Sequence, residues 1–134
     1  MLRLIETYWE DVIFFKSHTL LDFFNLVKNL KYIPDAKGIE IIHRPKHTLK
    51  RNVKYRDCDD KSILLGSFLY MKKIPFRIVA VSNKPDKKIH HVLLQAIIKG
   101  QKVILDATYP RNKIFRYKPI TKFTPISPWA VRRT

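Results

Sequence analysis

The chain has 134 residues, 46% of them hydrophobic, and its 27 lysines and arginines exceed its 11 acidic residues to give a net charge of +16. This length predicts one domain over residues 1–134, with a sizeable core and no room for a second ordinary domain. The single cysteine excludes an internal disulfide, and no apolar run approaches the length of a membrane-spanning helix. We therefore expect a cytoplasmic protein that has no membrane segment.

The positive charge is unevenly distributed along the chain. Residues 1–35 contain four basic and five acidic side chains, so the whole excess lies in residues 36–134. Such a field attracts acidic partners, and the attraction weakens as salt rises. The candidate partners are an anionic protein or peptide surface, a cell-envelope polymer and nucleic acid, and a solvated basic face without a partner is the alternative. Nucleic acid is a weaker alternative because no recognised nucleic-acid motif is present, and the oligomeric state is left open.

The first 35 residues are predicted to form a helical lobe. Apolar residues recur at helical spacing from Leu2 to Ile13, which predicts a first helix within residues 1–16. A second helical pattern begins after Ser17 or Thr19 and is ended by Pro34. Core packing is the expected role of their aromatic residues, and a partner surface is the alternative.

The only cysteine opens the central predicted helix, which runs from about Cys58 to Lys72. Asp57 is a suitable N-cap, and Asp59 and Asp60 place negative charge in the first turn. A helix N-terminus lowers a thiol pKa, whereas the neighbouring carboxylates raise it. Cys58 is therefore a candidate nucleophile. The apolar stripe of this helix consists of Ile63, Leu64, Leu65, Phe68, Leu69 and Met71.

An antiparallel sheet is predicted after this helix. Phe76–Val81 forms one strand, Ile89–Ile98 a second and Gln101–Thr108 a third, with Lys99-Gly100 as the turn of a hairpin. Together with the preceding helices, these strands predict an α+β fold in which the cysteine-bearing helix packs on the sheet.

The register of this hairpin selects one histidine. A two-residue loop pairs Ile98 with Gln101, and counting back makes His91 and Asp106 diagonal neighbours on one face of the sheet. His90 then points to the opposite face, and an odd loop or a bulge would reverse the choice. A carboxylate on one imidazole nitrogen leaves the other to take a thiol proton, as cysteine acyl transfer requires.

Several motifs in this order resemble the transglutaminase-like superfamily of papain-fold cysteine enzymes. They are Asp57–Asp60 at the helix start, Ile74–Val79 at a turn into a strand, His91-Val92 entering a strand, Leu105–Pro110, and the lead-in Arg44–Leu49. The resemblance covers about residues 45–110, and it implies a papain-like core.

By this resemblance, Cys58 is the nucleophile, His91 the general base and Asp106 the orienting acid. The implied reaction is acyl transfer on amide bonds through a thioester, without a cofactor. Protease, amidase and transglutaminase activities share the first half of that reaction, so the sequence does not separate them. The oxyanion donor has no clear equivalent, and Trp9 and Tyr55 are the candidates.

A non-catalytic protein on the same scaffold is the alternative. Arg56 stands where the family often has glycine, and the weak oxyanion support also favours this second interpretation. Small stand-alone members that resemble this family are found in bacterial and phage genomes, so the alternative includes a basic structural or binding protein associated with a virion.

No metal site is expected. His43 and His47 are four residues apart, but Pro45 lies between them and no further ligand completes a zinc set. The acidic cluster around Cys58 is better explained by helix capping than by calcium, which needs more oxygen ligands than one turn supplies.

Residues 111–134 are predicted to form an extended arm on the surface of the body. They contain seven basic and no acidic residues, and three prolines argue against a helix. Ile114–Tyr117 could add a strand, and Trp129 is the expected anchor. Upstream, Ile39–Ile42 is predicted as a short strand, and residues 82–88 as a loop beside His91.

Overall fold

The computed structural model describes residues 1–34, 42–81, 91–114 and 123–133. Helices pack on an antiparallel sheet in these residues, so the predicted α+β class is confirmed. The elements in chain order are α1 (Leu2–Tyr8), a 3-10 helix (Trp9–Phe15), α2 (Leu20–Lys28), α3 (Pro45–Thr48), α4 (Cys58–Met71), β1 (Phe76–Val81), β2 (His91–Ile98), β3 (Gln101–Leu105) and β4 (Phe123–Pro125).

The N-terminal helices differ from their prediction at two points. The second helix ends at Lys28 and not at Pro34, because the chain turns at the C-cap Asn29, and the first helix is interrupted. The backbone leaves the α-helical region at Tyr8 (φ −121°, ψ 15°), and the chain continues as the 3-10 helix. The β-branched and aromatic residues that follow are weak helix formers, which accounts for the break. Ile5 and Val12 are nevertheless fully buried. The start of α2 falls at Thr19, whose hydroxyl accepts the backbone N–H of Asp22 at 3.1 Å.

Helix α4 is the centre of the core and is buried on nearly all sides. Asp57 is its N-cap, as predicted, because its Oδ1 accepts the backbone N–H groups of Asp59 and Asp60 at 3.0 and 3.2 Å. Gly66 allows α1 to approach closely, since a Cβ there would lie 2.6 Å from Ile5 Cδ1. The cysteine end of α4 is thus held in place by packing along the whole helix.

The four strands are antiparallel in the order β3-β2-β1-β4. The turn residues Lys99 and Gly100 both have positive φ, 52° and 76°, as a tight hairpin turn requires. Ile98 pairs with Gln101, and the same register continues to Leu94 and Leu105. The predicted hairpin register is therefore confirmed, although β3 ends one residue before Asp106.

The C-terminal segment lies along β1. β4 pairs with β1, and Ala130 forms a further bridge with Phe76. The Trp129 ring lies 4.7 Å from the Arg77 guanidinium and 6.0 Å from Lys102 Nζ, so this residue anchors the arm as predicted. The other predicted elements near Ile39–Ile42, Ile114–Tyr117 and residues 82–88 lie wholly or largely outside the described residues.

The two faces of the sheet are covered differently. One face packs on α4 and the N-terminal helices to form the main core, while Val79, Val81 and Leu93 form a smaller apolar cluster on the other. In the part of the chain described here, no helix has the length and apolar character needed to cross a membrane.

Candidate active site

His91 and Asp106 lie in direct contact at one end of the sheet. His91 is the first residue of β2, and its Nε2 is 2.7 Å from Oδ2 of Asp106. The other carboxylate oxygen, Oδ1, accepts the backbone N–H of Thr108 at 3.0 Å. Both side chains are buried. The structure therefore brings together the two residues that the hairpin count made neighbours, whereas His90 lies outside the described residues.

This contact determines which ring nitrogen of His91 can exchange a proton with a nucleophile. Asp106 contacts Nε2 of His91. In the neutral imidazole, the Nε2–H group donates a hydrogen bond to this carboxylate, which favours the tautomer with an unprotonated Nδ1. A base of this kind would accept a proton at Nδ1. Because Oδ1 of Asp106 is held by a backbone amide, the orientation of the carboxylate is fixed independently of His91.

Cys58 is the first residue of α4 and is half-buried. One turn further along the helix, the Ser62 hydroxyl donates to the carbonyl of Val92 at 3.3 Å. The backbone amide of Val92 donates to the Cys58 thiol and lowers its pKa. The thiol therefore lies beside the residue that directly follows His91, and Asp106 is close enough to influence it electrostatically.

The pKa of Cys58 is raised to about 12. Burial is the main cause because it disfavours the thiolate, and the carboxylates of Asp59, Asp57 and Asp106 add to the shift. The lowering expected from the helix N-terminus is thus outweighed. The thiol is protonated at neutral pH, and it needs a base to become a nucleophile.

Two tyrosines line the site beside this pair. The Tyr109 ring stacks on His91 with the centroids 6.1 Å apart and an angle of 15° between planes. Tyr32 lies against Tyr109 at 5.3 Å, and the Arg111 guanidinium lies over Tyr109 at 4.6 Å. The sequence analysis did not identify Tyr32, because no local pattern brings it towards Cys58.

Arg56, which departs from the family pattern, has a structural role. Its buried guanidinium donates to the carbonyls of Thr48, Lys50 and Lys31 at 2.8, 2.7 and 3.1 Å. Burial lowers its pKa. These bonds fix the segment that leads into Cys58.

Lys61 is a second buried cation that the sequence analysis did not single out. Its Nζ donates to the carbonyls of Thr108 at 2.7 Å and Lys28 at 3.3 Å. Burial lowers its pKa to about 8. The bond to Thr108 ties the cysteine-bearing helix to the turn that follows Asp106.

The structure bears differently on Trp9 and Tyr55, the two predicted candidates for the oxyanion donor. Trp9 packs on Tyr70 at 6.3 Å and under Arg132 at 4.4 Å. Tyr70 is twelve residues after Cys58 in α4, which is roughly 18 Å along the helix axis. The structure therefore does not bring Trp9 to the thiol. Tyr55 contacts Lys54 at 5.6 Å, and its role stays a prediction.

The histidines upstream of the cysteine do not form a metal set. His43 Nδ1 is 3.2 Å from Oδ1 of Asp60, and the rings of His43 and His47 are 6.4 Å apart. Across residues 1–34, 42–81, 91–114 and 123–133, no group of three or more potential ligand side chains could hold a metal ion.

No family model matches the sequence, and no curated protein or solved structure is significantly similar to it. The function is therefore inferred from the residues and geometry of this site.

Proposed function

We propose that this protein is a cysteine-dependent enzyme that transfers acyl groups from amide bonds. Cys58 would be the nucleophile, His91 the general base and Asp106 the orienting acid. The observation that carries the proposal is the 2.7 Å contact between His91 Nε2 and Asp106 Oδ2, next to the backbone amide that contacts the cysteine. The order of the motifs, which resembles the transglutaminase-like superfamily, supports the same assignment.

The proposed reaction has two steps. His91 Nδ1 takes the thiol proton as the Cys58 sulfur forms a bond to the substrate carbonyl carbon. The C–N bond then breaks, and the imidazolium returns that proton to the leaving amine. In the second step, water or a second amine attacks the thioester, the S–C bond breaks, and the released proton returns to the thiol through His91. Water gives hydrolysis and an amine gives transamidation.

The raised pKa of Cys58 specifies the form of this mechanism. A thiol with a pKa of about 12 does not exist as a stable thiolate–imidazolium pair at neutral pH. Proton transfer to His91 would instead accompany the attack on the carbonyl, which is general-base catalysis. The excess of positive charge in residues 36–134 favours protein or peptide substrates with an acidic surface.

The test uses 4-nitrophenyl acetate as an activated acyl donor. Intact-mass measurement follows the acetylated protein, and peptide mapping assigns the acetyl group to Cys58. We expect an acetyl-thioester in the native chain and none in Cys58→Ala. His91→Ala should slow its formation by about 10²-fold or more, the contribution of a positioned general base. Decay of the thioester with and without a primary amine then separates hydrolase from transferase.

His43→Ala is the matched control. His43 also lies beside a buried carboxylate, but that carboxylate belongs to Asp60, in the first turn of α4. This variant should acetylate at the native rate. The proposal is wrong if Cys58 is not acetylated in the native chain, or if the two histidine variants behave alike.

A non-catalytic basic binding protein on the same scaffold is the second candidate. The raised pKa of Cys58 favours it, because a protonated, half-buried thiol is unreactive at rest. The charge excess would then bind an acidic partner, including one in a virion. This candidate predicts no acetylation of Cys58 and salt-sensitive binding that survives Cys58→Ala.

A further inference from the structure

Tyr32 is held beside the start of α4 by backbone pairing. Ile33 and Arg56 form an isolated antiparallel bridge, with both N–H···O distances 2.7 Å. In an antiparallel register, the residue before Ile33 lies opposite the residue after Arg56. Tyr32 is therefore opposite Asp57, the residue directly before Cys58. The Arg56 guanidinium also holds the carbonyl of Lys31, so the backbone is fixed on both sides of Tyr32.

Tyr32 also contacts the tyrosine that stacks on His91. Its ring is 5.3 Å from that of Tyr109, which in turn stacks on His91. The Tyr32 side chain is half-buried between the helix start and this aromatic pair. Burial is the main cause that raises its pKa to about 12, and Cys58 contributes through its charge. The hydroxyl thus keeps its proton at neutral pH. Its side-chain hydrogen bond with Tyr109 also raises the pKa, and donation to a substrate oxygen would replace that bond.

Attack of a thiol on a carbonyl creates a negative oxygen that needs two donors. The backbone amide of Cys58, at the helix start, is one candidate. It takes no part in the capping bonds, which use the amides of Asp57, Asp59 and Asp60. Trp9, the earlier candidate for the second donor, lies near the far end of α4.

We propose that the hydroxyl of Tyr32 is the second donor to this oxyanion. Its placement opposite Asp57 and against Tyr109 is the observation that carries the inference. The inference rests on the proposed acyl-transfer function, and it makes Tyr32 a catalytic residue because its hydroxyl would contact the reacting oxygen.

Two reagents that modify the same sulfur test this role. Acetylation by 4-nitrophenyl acetate passes through a tetrahedral oxyanion, whereas alkylation by iodoacetamide displaces iodide at a saturated carbon and forms no oxyanion. Removing one oxyanion donor typically costs about 10²-fold or more in rate. We expect Tyr32→Phe to lower the acetylation rate of Cys58 by about that factor and to leave its alkylation rate unchanged.

Tyr70→Phe is the control variant, because it removes a tyrosine hydroxyl near the far end of α4, twelve residues after Cys58. It should change neither rate. Unaltered acetylation in Tyr32→Phe, or an equal fall in acetylation and alkylation, would overturn the inference. So would selective loss of acetylation in Tyr70→Phe. If the native chain itself forms no acetyl-Cys58, the proposed function fails, which is distinct from failure of Tyr32 alone.

Discussion

Two histidines lie beside buried carboxylates near the first turn of α4, and the two carboxylates are used differently. Asp60 is fully buried, its Oδ1 accepts the backbone N–H of His43 at 2.8 Å, and its Oδ2 accepts that of Asp57 at 3.1 Å. Within the described residues, one oxygen of Asp106 accepts a backbone N–H group and the other lies 2.7 Å from the His91 ring.

The ring contacts of the two pairs also differ in geometry. His43 Nδ1 is 3.2 Å from Asp60 Oδ1, but it has no aligned hydrogen-bond partner there. A carboxylate whose two oxygens both accept backbone N–H groups completes a helix cap, and a histidine beside it is only a spatial neighbour. A carboxylate with one oxygen directed at a ring nitrogen can orient an imidazole for proton transfer. Proximity of His and Asp therefore does not by itself define a catalytic pair.

The largest expected difference between the pairs is in reaction rate. Asp106→Asn removes the negative charge that stabilises an imidazolium at His91, and we expect it to slow acetylation of Cys58 by about 10²-fold. His43→Ala, which alters the other pair, should leave the rate at the native value. Stopped-flow release of 4-nitrophenolate measures both. Equal rates in Asp106→Asn and the native chain would remove Asp106 from the mechanism.

The second difference is in stability. Asp60→Ala leaves two partly buried backbone amides without their acceptor, and we expect the free energy of unfolding to fall by about 3 kcal/mol. Asp22→Ala is the matched control, because Asp22 occupies the equivalent capping position in α2 but is exposed. Its replacement should cost about 1 kcal/mol or less. Urea denaturation compares the two, and similar losses would contradict a special role for the buried cap.

The third prediction concerns Lys61, whose hydrogen bond to the Thr108 carbonyl links α4 to the turn after Asp106. The pKa of Lys61 is lowered to about 8 from 10.5, so the unfolded chain binds the proton more tightly than the folded chain. The contribution of Lys61 to stability therefore rises as the pH increases from about 8 to 10.5, by on the order of 2 kcal/mol.

Lys61→Met should lack this contribution, and the measurement is the difference in free energy of unfolding between the two proteins as a function of pH. Cys58 and Tyr32 act in the opposite direction at higher pH because their pKa values are raised. Both residues are present in each protein, so their effects cancel in the difference. A difference that does not change with pH would mean that Lys61 stays charged when buried.

The contact between His91 and Asp106 could be predicted because it depends on local geometry. A two-residue turn at Lys99 and Gly100 fixes the hairpin register, and the register places His91 near Asp106. The start of α4 could be predicted equally well, since capping by Asp57 depends only on residues next to it in the sequence.

Tyr32 and Lys61 could not be found in the same way. Tyr32 reaches the site through a bridge between residues 33 and 56, which no sequence period indicates. Lys61 has the sequence appearance of an exposed cation, but α4 is covered on nearly all sides. The pKa of Cys58 depends on burial in the assembled fold, which outweighs the local effect of the helix N-terminus.

The central claim is that His91 activates a thiol that is protonated at rest. The most direct measurement compares two pH profiles of Cys58, one for alkylation by iodoacetamide and one for acetylation by 4-nitrophenyl acetate, in the native chain and in His91→Ala. We predict that alkylation keeps rising with pH well above neutral, as a pKa of about 12 requires. Acetylation should already proceed at neutral pH and should depend on His91. An alkylation plateau below neutral pH, or acetylation that is independent of His91, would contradict the claim.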